Sequence, residues 1–177
     1  MDRAWPVGGC RGYSLTSPEE RALFVREWKA TPGPALEIGT FQGVTASQAA
    51  KACPQRTLTC IDIFQLSHPC IECWLANQRP NMHLFVGTAT EFAAVTRQQY
   101  GFVWLDAGHL YDECLPDFQI LASALMLSRA TLCVHDYTAP CFKDHIVRAA
   151  SEVLQAPEWC LVGTVETTAI FKRGEVV

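Results

Sequence analysis

The feature that most constrains this chain is an alternation, beginning at Ala35, of short apolar runs with longer segments patterned like helices. The strand-like runs are Ala35–Gly39, Thr57–Asp62, His83–Val86, Phe102–Asp106, Thr131–Asp136, Trp159–Val162 and Thr167–Lys172. Between them, Val44–Ala52, Ile71–Gln78, Thr90–Gln99, Cys114–Leu127 and Phe142–Leu154 carry apolar residues at helical spacing. Strands separated by helices of about 10–15 residues predict a parallel sheet covered on both faces. The final two strands are joined only by "GTVE", too short for a parallel crossover, so they are expected to pair antiparallel. The expected fold is therefore α/β, a Rossmann-like, seven-stranded, mostly parallel sheet with helices on both faces and an antiparallel last strand.

Upstream, Ser17-Pro18-Glu19-Glu20 supplies an N-cap, a first-turn proline and early acids for a helix that Thr31-Pro32-Gly33-Pro34 ends. A single domain over residues 1–177 is expected, with residues 1–34 a helical lead-in and 35–177 the core. Hydrophobic residues at 49% and charged ones at 18% provide for a buried core. A net charge of −4 with scattered Lys and Arg argues against a nucleic-acid surface, and no apolar run reaches the roughly 20 residues of a membrane span. "MDRAWPVGGCRGY" lacks the order of a signal peptide, which makes a cytoplasmic location the expectation. The 9 cysteines are odd in number and irregular in spacing, so most are read as reduced core residues.

In open α/β sheets, ligands bind beyond the carboxyl ends of the strands. These ends are polar here: Glu37 to Gly39, Asp62, Gly87-Thr88, Asp106 and His135-Asp136. Asp and Gly commonly end strands as turn residues; their coincidence on neighbouring strands is what points to a site. The turn in "ALEIGTFQGVTA" does not suit a pyrophosphate, because Phe41 and Val44 stand where a dinucleotide loop requires its second and third glycines. A triphosphate loop is also excluded, since no lysine follows Gly43. What remains, Glu37-x-Gly39-x-x-x-Gly43 followed by Asp62, suits a nucleoside with a charged tail, the carboxylate accepting from a ribose diol.

These segments resemble the class I S-adenosylmethionine-dependent methyltransferases, particularly the small O-methyltransferase branch that includes macrocin-type enzymes. "ALEIGTFQGVTASQAA" looks like that family's first motif and "LTCIDIF" its second strand; "WLANQRPNMHLFVGTATEFA" resembles its helix, third strand and adenine-side loop. "YGFVWLDAGHLYDECLPDFQIL" is similar to its fourth strand with D-x-x-H-x-Y, and "ATLCVHDY" to its fifth. The resemblance spans roughly residues 14 to 172. It implies that Glu37, Gly39, Thr40 and Gly43 hold the methionine and ribose, and that Asp62 and Ile63 lie at the ribose. It places Thr88 and Ala89 near the adenine, although the family often has an acid where this chain has Thr88. Asp106 would face the cofactor's amino group or a metal.

Methyl transfer requires an oriented nucleophile and removal of its proton. His109 is the first candidate base, with Asp106 beside it as the second candidate catalytic residue. Asp106 and Asp136 could share a magnesium ion, although no third hard ligand accompanies them. The expected activity is S-adenosylmethionine-dependent O-methylation of a small-molecule acceptor, with a second copy of the chain closing a crevice that has little lid of its own. A nicotinamide-dependent oxidoreductase is the first alternative. The other is a zinc or thiol regulatory module built on His68, Cys70 and Cys73, for which a fourth ligand is missing and coincidental thiols are the simpler reading. Phe64 and Trp74 are candidates for an acceptor pocket or for core packing.

Overall fold

The computed structural model describes residues 15–64 and 70–174. The strands β1 (Ala35–Ile38), β2 (Leu58–Asp62), β3 (Met82–Val86), β4 (Tyr100–Leu105), β5 (Met126–Val134), β6 (Trp159–Val165) and β7 (Thr168–Arg173) form one sheet in the order β3-β2-β1-β4-β5-β7-β6. The first five are mutually parallel, and β7 is inserted antiparallel between β5 and β6, as the short connection requires.

Helix α1 (Pro18–Ala30) opens on a complete capping box between Ser17 and Glu20. It packs with α2 (Val44–Ala52) and α3 (Cys70–Asn77) on one face of the sheet, while α4 (Ala89–Val95), α5 (Tyr111–Ile120) and α6 (Lys143–Val153) cover the other. The strands serve both cores by strict alternation. Phe102 and Trp104 enter the α1 side, where Phe24 stacks on Trp104 with ring centroids 5.1 Å apart; Val103 and Leu105 enter the other. Each such fully buried aromatic stabilises the fold by about 1.5–3 kcal/mol relative to exposure.

The largest departure from expectation is in the segment after β4. The periodicity suggests a helix to Leu127, whereas α5 ends at Ile120, a π-helical turn follows at Leu121–Leu125, and β5 already begins at Met126. Ser128 and Arg129, both exposed, break the apolar run and disguise the start of the strand. Met126 nonetheless pairs with Tyr100, and its carbonyl accepts from Arg173 Nη1. Helix α4 is likewise shorter than expected because Thr96 leaves helical geometry and its hydroxyl accepts from Gln98 N–H.

Cys53, Cys60, Cys114 and Cys133 are buried free thiols. Cys73, by contrast, is disulfide-bonded, which corrects its reading as a plain thiol and removes it from the zinc reading, since a sulfur in a disulfide is no thiolate ligand. His68 and the Cys70 side chain lie outside the described residues. Trp74 and Phe64 are buried in the α1-side core rather than lining the crevice.

Candidate active site

A crevice of about 600 Å³ opens at the carboxyl ends of β1, β2, β3 and β4. It straddles the β1/β4 boundary, where the strand order reverses direction. Among the expected site residues, Glu37, Gly39, Thr40, Asp62, Ile63, Thr88, Ala89, Asp106 and His109 line it; Gly43 and Asp136 do not.

The glycines serve the chain before any ligand. A Cβ on Gly39, whose φ is +86°, would lie 1.8 Å from the carbonyl oxygen of Asp106, so only glycine lets β1 and β4 end this close together. Gly43 has φ +71° and faces Trp74, whose ring would lie 2.7 Å from an added Cβ. It caps α2 behind the crevice instead of lining it. Between them Phe41 adopts φ +49° and packs its ring against the α1-side core. Its N–H donates to Asp62 Oδ2 at 2.7 Å, and Phe64 N–H donates to Asp62 Oδ1 at 2.9 Å. The Asp62 carboxylate is thereby fixed at the end of β2 with a lone pair remaining on each oxygen.

Glu37 is fully buried, and no described group hydrogen-bonds its Oε2. Burial, reinforced by the nearby charges of Asp106 and Asp62, pushes its carboxyl up to about 8. A buried acceptor without a partner, on the wall of a crevice, is the group that a ligand's hydroxyl or ammonium would satisfy. The cavity therefore fits a nucleoside carrying an amino-acid tail.

At the other end of the crevice lies a chain of charges that the sequence did not reveal. His135, buried just past β5, has Nε2 3.2 Å from Glu20 Oε2, and its Nδ1 is 3.1 Å from Asp106 Oδ1 and 3.2 Å from Asp136 Oδ2. Burial opposes its charge, but the three surrounding carboxylates prevail and push the imidazole up to about 12, so it stands as an imidazolium. Glu20 Oε1 also accepts from the Thr167 and Thr168 hydroxyls at 2.7 and 2.9 Å. Although burial alone would raise Glu20, these donors and His135 hold it well below the usual carboxylate range.

His109 completes the cluster. Its Nε2 is 3.1 Å from Asp136 Oδ2, its ring lies against Phe142 at 4.4 Å between centroids, and the Glu113 carboxylate holds its backbone N–H and that of Leu110. The hydrogen bond to Asp136 raises its pKa. Asp136 itself sits at φ +56°, a strained conformation that turns the chain immediately after β5, and both imidazoles depress its carboxyl against the effect of burial.

One oxygen or ring nitrogen each from Asp106, His109 and Asp136 lies within 4.8 Å of the others, close enough to surround a cation. The donor set nevertheless fits magnesium poorly. It provides only two carboxylates and a nitrogen with no third hard ligand, and the charged His135 ring already lies 3.1 and 3.2 Å from those two carboxylates.

Residues 36–137 match a family model described as a methyltransferase domain. No curated protein matches the sequence. Among solved structures, Rv0187 from MTB, determined with cofactor bound, aligns over 92% of this chain and 82% of its own at 15% identity and a TM-score of 0.73. CalS11, a TDP-rhamnose 3′-O-methyltransferase of calicheamicin biosynthesis, aligns over 88% and 78% at 16% identity and 0.66. An O-methyltransferase family protein from Burkholderia thailandensis aligns over 87% and 55% at 10% identity and 0.65. At these identities the structures establish the fold; the family match over more than half the chain establishes membership. With a crevice at the sheet's switch point and an unsatisfied acceptor in its wall, this chain belongs to the methyltransferase-domain family and is an S-adenosylmethionine-dependent methyltransferase.

Proposed function

We propose that the protein methylates a hydroxyl group of a small molecule, with His109 as the general base. The observation that carries this reading is His109 on the crevice wall, paired with Asp136 behind it. An imidazole that donates from Nε2 to a carboxylate keeps its lone pair at Nδ1, and no described group hydrogen-bonds that nitrogen. Bound S-adenosylmethionine supplies an activated methyl group. Glu37 and Asp62 bind and orient the nucleoside and its amino-acid tail, and Gly39 and Thr40 form the turn beneath it. Thr88 and Ala89 lie towards the base, beside Asp62 and Ile63. As the acceptor oxygen takes the methyl, its proton passes to His109 Nδ1, and Asp136 stabilises the resulting imidazolium. Asp106, bridged to His135, fixes the charge at the back of the site and touches no proton in transit. No step is assigned to a metal, because two carboxylates and one imidazole supply too few hard ligands for magnesium.

The net charge of −4 favours a small acceptor over nucleic acid, and the Asp106-x-x-His109-x-Tyr111 run supports the macrocin-type branch. A cytoplasmic location and a homodimer that closes the crevice belong to the same reading; among the described residues, no helix is long and apolar enough to cross a membrane. The oxidoreductase alternative is not favoured, because a phenylalanine, Phe41, stands at the turn position where a dinucleotide loop needs glycine.

The test is to screen phenolic and sugar hydroxyls for release of S-adenosylhomocysteine, then measure His109→Gln on the best acceptor. Turnover should fall about 10²–10⁴-fold while affinity for S-adenosylhomocysteine stays within about twofold, and wild-type turnover should survive EDTA. Unchanged turnover in the variant would remove His109 from the chemistry, and loss to EDTA restored by magnesium would reinstate the metal.

A further inference from the structure

Resting on the reading of His109 as the base, a chain of buried contacts assigns the aim of its ring to a residue that it does not touch. The face of the His109 ring lies against Phe142, and its edge is directed by Asp136 Oδ2, 3.1 Å from Nε2. Asp136 holds a left-handed backbone at φ +56°, which a residue other than glycine keeps only where its surroundings over-determine it. Its carboxylate sits between two imidazoles, His109 on the crevice side and His135 behind, and both meet the same oxygen.

The two ring nitrogens of His135 are held differently. Nδ1 lies between carboxylates, 3.1 Å from Asp106 Oδ1 and 3.2 Å from Asp136 Oδ2, and is aligned for a hydrogen bond with neither. Nε2 donates to Glu20 Oε2 at 3.2 Å, so Glu20 aims the ring. Glu20 is itself immobile: Oε2 also accepts from Ser17 N–H at 3.0 Å, and Oε1 accepts from the hydroxyls of Thr167 and Thr168. A capping-box glutamate needs only the first of these bonds, and burying it among donors from beyond β5 and from the β6–β7 turn exceeds what starting a helix requires. We infer that Glu20 is a positioning residue for methyl transfer: through the His135 ring it fixes the Asp136 carboxylate, and with it the direction in which His109 presents Nδ1 to the acceptor. Neither Glu20 nor His135 lines the crevice, so breaking the link misdirects the base and leaves binding intact. A displacement of about 1 Å at a reacting group lowers the rate about 10²-fold.

The experiment is a double-mutant cycle in steady-state kinetics on the full chain. Glu20→Gln, His135→Gln and their combination are assayed on the hydroxyl compound that wild type methylates fastest, each checked for its fold by circular dichroism. His135→Gln keeps an amide donor for Glu20 near the place of Nε2 and presents nothing to Asp136. Glu20→Gln should lower kcat roughly tenfold to a hundredfold, with KM and the calorimetric affinity for S-adenosylhomocysteine within about twofold. In the His135→Gln background the same substitution should change kcat by less than about twofold, because the ring through which it acts is gone. Thr168→Val removes one donor from Glu20 and keeps its charge; it should lower kcat in the same sense by a smaller factor, and it stands in if Glu20→Gln does not fold. Without any acceptor, imidazole 15N shifts should show neutral His109 as one tautomer, protonated at Nε2, in wild type and as a mixture in Glu20→Gln. An unchanged kcat or an unchanged tautomer in folded Glu20→Gln, or an equal loss of kcat in both backgrounds, overturns the role of Glu20 and leaves His109 as the base. Unchanged turnover in His109→Gln removes the base itself, and the role of Glu20 with it.

Discussion

At the scale of single residues, the site depends on atoms that are unsatisfied or crowded. Gly39 and Gly43 were legible in the sequence as a ligand turn. The space around them shows a different first duty, since Asp106 and Trp74 occupy the volume their side chains would need. Glu37 was legible as a strand-end acid; that it would be wholly buried with a free oxygen follows from its place on the α1-side face and could not be read locally. This burial has a consequence for stability. The folded pKa of about 8 lies above the usual 4.5, so the folded state retains a proton that the unfolded chain gives up in that interval. The contribution of Glu37 is therefore complete below pH 4.5 and is lost as pH rises through 8. Glu37→Gln should melt at a higher temperature than wild type at alkaline pH, match it more closely in mild acid, and bind S-adenosylhomocysteine more weakly. Parallel melting curves at all pH values would show that Glu37 is not held protonated.

At the scale of elements, alternation and turn chemistry disclosed nearly all the strands and helices, and α2 has the expected boundaries. The misread segment was Leu121–Arg129, where a π-helical turn runs directly into β5 and exposed polar residues interrupt the strand. What no local pattern could disclose is the contact between α1 and the sheet. Glu20 looks like an ordinary first-turn acid, yet it pairs with His135 at a separation of 115 residues and also ties down the β6–β7 hairpin through Thr167 and Thr168. Such pairs are products of topology, invisible to any window along the chain. The depressed Glu20 contributes stability above its usual pKa of 4.5 that is lost as pH falls through its folded value; the raised His135 contributes below 6.5 what is lost as pH climbs through about 12. Glu20→Ala should cost about 3–5 kcal/mol by urea denaturation, because it leaves a buried imidazolium short of a partner and two hydroxyls unpaired. A loss below about 1 kcal/mol would mean that α1 is held by its aromatic core alone.

At the scale of the whole molecule, one crevice at the β1/β4 switch point collects side chains from both halves of the sheet. Glu37 and Asp62 come from the strands on one side of the switch. Asp106, His109, His135 and Asp136 come from the strands on the other, anchored from behind by α1. In the proposed reading, binding belongs to the first half and proton transfer to the second, and the two meet where β1 and β4 pair. The proposed mechanism requires the first half to hold the methyl donor. The most direct measurement is titration calorimetry of S-adenosylhomocysteine into wild type and Asp62→Ala. Saturable binding by wild type, weakened at least roughly tenfold in the variant, is the predicted result. No binding by wild type, or equal affinity in a folded variant, would contradict it.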